Sequence, residues 1–233
     1  MDDITKIQRY FARKAQAQPD YQFKDLYSLV WKPGFLDLAL TRVLANRGSR
    51  SAGIDGITVT HFDDPEYRTE FTQDLAHSLR TKTFTPAPGR RVYIPKDKTH
   101  KRPLGILTIK DRVVQMSLKM LLEPVFEADF LNCSYGFRPG RRTMDCIMPI
   151  WRYTNSQSKH FWVVEGDIRA CFDAVNHRIL EGLLHQRIAD KHVLNLIHAF
   201  LQAGVMEGQL FQRTDIGTQQ GGILSPLLSV NWV

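Results

Sequence analysis

"HFWVVEGDIRACFDAVNH", residues 160–177, sets an oily run against two aspartates, Asp167 and Asp173. The run from 161 to 168 reads as a buried strand. Alternation sends Phe161, Val163, Glu165 and Asp167 to one face and Trp162, Val164, Gly166 and Ile168 to the other. A carboxylate at the exit of such a strand is costly unless a cation, a hydrogen-bond donor or water meets it. Two readings of Asp167 follow. In one it ends the strand and caps what comes next. In the other it is a ligand for Mg²⁺, a hard cation that takes carboxylate oxygens beside a nucleotide's phosphates. Asp173 reads as the cap of the turn into "AVNHRIL".

The chain has 233 residues, 43% of them hydrophobic, enough for one sizeable core or two small ones. No stretch approaches the roughly 18 apolar residues of a membrane span, and the polar, acid-led N-terminus is unlike a signal peptide. The expected compartment is the cytoplasm, with no membrane partner. Cys133, Cys146 and Cys171 are odd in number and spaced for neither a disulfide framework nor zinc, so all three read as reduced small apolar residues.

Net charge is +7, and its distribution matters more than its size. Between Arg80 and Lys119 there are eleven Lys or Arg against two acids, Asp97 and Asp111, which leaves the rest of the chain slightly negative. Such a window is either a solvated face or a surface that neutralises phosphates.

Along the chain, "PGFLDLALTRVLANRG" has apolar positions at helical spacing with Gly48 as a stop. Asp64 and Pro65 mark the start of another helix. "RRVYIPK", "KTHK" and "RPLGILTI" read as a strand, a turn and a strand. "DRVVQMSLKMLLEPVFEADF" reads as an amphipathic helix capped by Asp111 and broken or bent at Pro124. Helices follow on either side of Asp190, stopped by Gly204, and "GVMEGQLFQRTDIGT" reads as a strand pair. Helices interleaved with few strands argue for an α+β fold, helix-rich in its N-terminal half. "SPLLSVNWV" begins a helix too short and oily to stand alone in water, so it docks or continues.

Three more constellations carry chemistry. In "QQGGILSP", paired glycines allow close backbone approach and Gln220 can donate and accept, although a plain glycine turn looks the same. In "SYGFRPGRR", Tyr135 and Phe137 interleave with Arg138, Arg141 and Arg142, which suits a nucleic-acid strand as well as it suits a core pair with surface arginines. The hairpin carries Arg90, Arg91, Lys96, Lys101 and Arg102, suited to a triphosphate or a duplex backbone. Walker loops, nucleophile elbows and H-E-x-x-H are missing from the sequence, and His185 and His198 read as surface residues.

Taken in order, "SAGIDGIT", "RRVYIPK", "KRPLGILTIKDRVVQ", "LEPVFE", "SYGFRPGRR", "GDIRACFDAVNH" and "GTQQGGILSPLL" resemble the reverse transcriptases encoded by bacterial group II introns, with CRISPR-associated and retron-type enzymes as neighbours. The resemblance implies a right-hand polymerase fold, with an N-terminal extension and fingers over 1–106 and an incomplete palm over 107–233 that includes finger-return helices at about 178–204. It implies RNA-directed DNA polymerisation with two Mg²⁺ ions, Mn²⁺ being an alternative. Partners would be an RNA template or intron RNA, a DNA primer and dNTP, with the oligomeric state left open.

Residue by residue, the resemblance makes Asp167 the catalytic metal ligand and Ile168, through its carbonyl, a second contact. Phe172 becomes the gate against a ribose 2′-OH, and Arg90, Lys96, Arg102 and Gln220 become nucleotide contacts. Tyr135, Phe137, Arg138, Arg141 and Arg142 would face template RNA. Gln219 stands where the family usually has proline. The family's Y-x-D-D hairpin, second catalytic strand and thumb are not in this sequence, so the expectation is a fragment inactive by itself, or else a non-catalytic, maturase-like intron-RNA-binding remnant.

Overall fold

The computed structural model describes residues 2–155, 160–214, 216–218 and 221–232. The elements run α1 (Asp2–Ala17), α2 (Tyr27–Val30), α3 (Pro33–Ala45), α4 (Pro65–Arg80), β1 (Gly89–Pro95), β2 (Lys101–Ile106), α5 (Ile109–Phe126) and α6 (Thr143–Thr154). After these come α7 (His177–Arg187), α8 (Lys191–Gln202), β3 (Val205–Glu207), β4 (Leu210–Gln212) and α9 (Ser225–Trp232). This is the α+β class expected from the interleaving. Among the described residues no helix is long and apolar enough to cross a membrane.

Helix α5 is the axle. Its apolar residues, among them Val113, Val114, Leu118, Leu121, Leu122 and Val125, are fully buried, and α1, α2, α3 and α9 pack against it. Apolar residues reach nearly all round such a helix when neighbours cover every face. Pro124 lies inside α5 without ending it, since the helix continues to Phe126. The cap also differs from expectation. Thr108 is the N-cap and accepts the Asp111 amide at 3.0 Å, while Asp111 sits three residues on and is itself buried. A threonine oxygen can cap from an extended backbone, and Asp111 is already inside the first helical turn.

The polar groups of α5 reach out and hold other segments. The Arg112 guanidinium donates to the carbonyls of Gly48, Ser51 and Leu107 at 2.6–2.9 Å. Ser117 Oγ donates to Val30 O at 2.8 Å, and Gln115 Oε1 accepts from the Leu224 amide at 3.3 Å. The Asp111 carboxylate accepts the Thr108 hydroxyl at 2.7 Å and, at longer range, the Ala87 amide.

The sheet order is β2-β1-β3-β4. β1 and β2 form the expected antiparallel hairpin, with Arg90 opposite Ile106 and Pro95 opposite Lys101. Pro103 is tolerated because β2 is an edge strand. β3 pairs parallel with β1 and antiparallel with β4, closing a long crossover through α5–α8. Tyr93 Oη donates to Glu207 Oε1 at 2.8 Å across that parallel junction.

Helix α7 joins the N-terminal segment to the rest. Arg187 donates to the carbonyls of Ala15, Gln18 and Pro19, and its Nε lies 2.9 Å from Asp129 Oδ2 in an ion pair of poor hydrogen-bond angle. Asp190 caps α8 as expected, accepting the His192 and Val193 amides. The short oily end docks, with Leu224, Leu227 and Leu228 buried and α9 packed on α7 and α5. His198, partly exposed, places Nδ1 in hydrogen-bond contact with Glu181 Oε1, a partner its reading as a surface residue did not include.

Two outcomes check this architecture. A Cβ added at Gly53 would come within 2.7 Å of the Thr108 backbone, so Gly53→Ala is expected to cost about 2 kcal/mol in a denaturant melt. Burial raises the Asp111 pKa from the usual 3.8 to about 6. Between those values the folded protein holds a proton that the unfolded chain has lost, so this group's contribution to stability is greatest below the lower pKa and falls as pH rises through the upper one. Asp111→Asn removes that dependence: measured against wild type, the variant should gain on the order of 3 kcal/mol between acid and neutral pH.

Candidate functional site

The decisive run does not form the expected strand. Residues 160–168 make no strand ladder, and Phe161, Trp162, Val163 and Val164 are 73–98% exposed. A strand is held by a neighbour's N–H and C=O groups and by a layer over its apolar face. Among the described residues no segment supplies either to this run. Asp167 and Glu165 are therefore exposed, and Ile168 is 46% exposed.

Immediately after it, the chain becomes tightly held. Ala170 takes a φ of 53°, and the amides of Asp173 and Ala174 both donate to Ala170 O at 2.9 Å. The 217–218 segment then locks onto this turn. Thr218 N donates to Phe172 O at 2.7 Å, Gly217 N donates to Val175 O at 2.8 Å, and buried His177 places Nε2 2.6 Å from Gly217 O. A side chain at Gly217 would meet the Asp173 backbone at 2.9 Å, on top of a φ of 91°. The cap of α7 is Asn176, whose side chain accepts the Ile179 amide, so Asp173 belongs to the turn without capping the helix.

The hairpin meets the same place. Arg91, Gly105, Asp173, Gly217 and Thr218 line a small polar cavity of about 230 Å³, and Gly221 comes so close to Gly105 that a Cβ there would lie 2.8 Å from its carbonyl oxygen. Three motifs separated by about a hundred residues of chain thus converge. The Thr218 hydroxyl is buried with no partner among the described residues. Gln220 lies outside the described residues, as does Gln219.

On the other side of the turn, Phe172 stacks edge-on to Phe137 with centroids 6.4 Å apart. Phe137 is 68% exposed and has a φ of 58°. Together they line a cavity of about 1000 Å³ with Phe126, Phe130, Cys133 and Cys171. All three cysteines are free; Cys133 is exposed, and Cys146 and Cys171 are half-buried.

The basic residues divide into two kinds. Arg138 is buried, donating to Glu127 at 2.7 Å and to the carbonyls of Leu131 and Ser134, so its guanidinium holds the loop together. Arg90 is half-buried and donates from Nε and Nη2 to Ala52 O at 3.0 and 2.8 Å, tying "SAGIDG" to the hairpin. By contrast Lys96 and Arg102 are exposed at the hairpin's outer half. Arg142 is exposed beside the start of α6, and Arg141 stacks over the half-buried Tyr135 ring at 5.4 Å.

Mg²⁺ needs about six oxygens in octahedral array. Asp167 and the Ile168 carbonyl are oxygens of the right kind. Among the described residues no group of three His, Cys, Asp or Glu side chains converges, so the donor set is incomplete in number. Sequence reasoning missed Thr108, Arg112, His177 and Arg187. Arg112, His177 and Arg187 act through backbone partners distant in sequence, for which a linear pattern carries no signal, whereas Thr108 competes with Asp111 three residues on for the same cap.

Residues 94–233 match the family described as reverse transcriptase (RNA-dependent DNA polymerase). The chain is 36% identical to the group II intron-encoded protein LtrA of Lactococcus lactis over 230 residues, covering 98% of this chain and 37% of LtrA. It is 36% identical to protein YkfC of Escherichia coli over 228 residues, covering 97% of this chain and 59% of YkfC. A solved partial Cas6-RT-Cas1–Cas2 complex matches with a TM-score of 0.54 at 22% identity, covering 87% of this chain and 32% of that one, a likeness of fold alone. That fold is consistent with the right-hand polymerase architecture. The chain belongs to the reverse transcriptase family, and its relatives include proteins encoded by group II introns.

Proposed function

We propose that residues 1–106 serve as N-terminal extension and fingers and residues 107–233 as part of the palm of an RNA-directed DNA polymerase, with Asp167 as the carboxylate that meets catalytic Mg²⁺. The observation that carries this is the convergence of the hairpin, the 170–175 turn and the 217–218 segment on one polar cavity. The Thr218 hydroxyl there, buried and without a partner among the described residues, favours a polar guest. Because the chain spans 37% of LtrA and 59% of YkfC, whole-protein activity is part of the proposal.

In this reading Lys96 and Arg102 hold the triphosphate of the incoming dNTP, and Gln220 borders its sugar. Phe172, held by its carbonyl to Thr218 and by its ring to Phe137, stands where a ribose 2′-OH would collide. Tyr135, Phe137, Arg141 and Arg142 face the template, with Arg138 shaping the loop that carries them. Arg90 aligns the hairpin through Ala52. Bound Mg²⁺, or Mn²⁺ in its place, would supply charge neutralisation at the attacking and leaving oxygens of phosphoryl transfer. The protein's own part is positioning, which is most of what phosphoryl transfer asks of it.

A second reading rests on the lone Asp167. Two-metal chemistry uses more than one carboxylate, and no cluster forms among the described residues. These 233 residues alone would then bind RNA without extending a primer. Primer extension on an RNA template, run with Mg²⁺ and separately with Mn²⁺, is expected to give no product above a no-protein control. Extension that disappears in Asp167→Ala would place a working metal site within these residues and reject the second reading. In parallel, RNA affinity should fall with salt at a log–log slope of about −0.7 for each phosphate contacted on a single strand. Affinity indifferent to salt would remove the nucleic-acid reading.

A further inference from the structure

Away from Asp167, a cleft of about 530 Å³ opens between α2, the end of α4 and the start of α8. None of its lining residues lines the cavities at Phe172 or Asp173. Four exposed cations surround it: Lys24, Arg80, Lys82 and Lys191. Among the described residues none of the four is ion-paired with a carboxylate.

The cleft has two acids. Asp190 is nearly buried, and its carboxylate is spent on the amides of Tyr27, His192 and Val193, so the helix start is already capped from within the fold. Asp25 is exposed. The side chains, then, and not the helix end, give the cleft its charge.

Lys82 Nζ lies 2.9 Å from His192 Nε2, so an ammonium donates to an imidazole with no acid between them. An anion lodged between them would replace that bond, accepting from the ammonium and from the imidazole in its Nε2–H tautomer. Lys82 follows the end of α4 with a φ of 60°, where glycine would fit without strain. The chain places a lysine there instead, with its ammonium on the cleft. Trp31, half-buried on the wall, adds an aromatic surface.

We propose that this cleft binds single-stranded RNA, taking a phosphate between Lys82 and His192 and a base against Trp31. Unpaired cations beside an aromatic are the combination that tracks a single strand, because phosphates recur along it and every base has a face to stack. The site would hold a segment of RNA outside the nucleotidyl-transfer cavity, and it rests on the reading of the chain as an RNA-binding reverse transcriptase.

The test is fluorescence anisotropy of a short labelled oligouridine against salt, with thermal melts to confirm that each variant folds. Lys24→Glu with Lys191→Glu is expected to weaken binding about tenfold and to reduce the salt slope by about 1.4, the value for two single-strand phosphate contacts. Lys82→Gly, which relieves the backbone, should weaken binding several-fold while leaving the melting temperature unchanged or higher. A charge-matched control, Arg42→Glu with Arg178→Glu, should stay within about twofold of wild type.

Equal losses in cleft and control variants would overturn the cleft. So would binding weakened only by Arg141→Ala with Arg142→Ala, an outcome that leaves the wider RNA reading standing. Absence of salt-dependent binding in wild type would bring down both.

Discussion

Everything else hangs on a charged side chain held inside the protein. Arg112 sits on the buried helix α5 and gives its guanidinium to three backbone carbonyls drawn from two loops. Carbonyls at 2.6–2.9 Å are neutral partners, so the arginine's charge is solvated by dipoles in place of water. Removing it would strip the buried Leu107 carbonyl of the two donors it receives from Arg112 and cut the ties of Gly48 and Ser51 to α5, at a cost that a single apolar contact does not carry. Because Gly48 and Ser51 lie at the entry to "SAGIDG", this one group fixes where that segment begins, and Arg90 fixes where it meets the hairpin. The β1–β2 hairpin is thus referenced to the core through two guanidiniums.

The opposite condition holds at 160–168. Its sequence has every local property of a buried strand, and yet local propensity does not make a strand without a partner. The adjoining helix α6 shows the same deficit, with Met144, Met148 and Trp151 more than half exposed and no residue buried. Between these two open surfaces and the well-packed body lies the 170–175 turn, clamped by Thr218, Gly217 and His177. The rigid part of the candidate site therefore begins just after Asp167, and the proposed metal ligand stands on its less supported side.

The sequence was most legible where one local rule decides the outcome. Asp64 with Pro65, Asp190 and Gly204 mark helix ends through caps and backbone geometry that need no tertiary context, and the structure has them where expected. The β1–β2 hairpin is of the same kind. Legibility failed where two rules compete. Thr108 and Asp111 both suit a cap, and Asn176 and Asp173 both suit a turn, so the choice depends on which oxygen the final backbone turns toward an amide. It failed again for 161–168, because burial belongs to a pair of surfaces and only one is written in the run. Convergence of Phe172, Gly105 and Thr218 was readable only as the ordered set of motifs, since no spacing rule links residues so far apart.

Charge was the property most easily over-read. The window from 80 to 119 counts eleven basic residues, and the structure spends Arg90 and Arg112 on carbonyls inside the fold. Arg138 and Arg187, outside that window, are spent in the same way. All four are arginines, whose planar fork can serve several carbonyl oxygens at once, whereas a lysine ammonium is strongly hydrated and gains less from that exchange. The lysines of the hairpin tip and of the α4–α8 cleft stay exposed. The field that a phosphate meets is therefore set largely by the lysines and by the arginines without a carbonyl to hold. A formal charge count cannot separate these two populations, because the distinction lies in which carbonyls the fold leaves without partners.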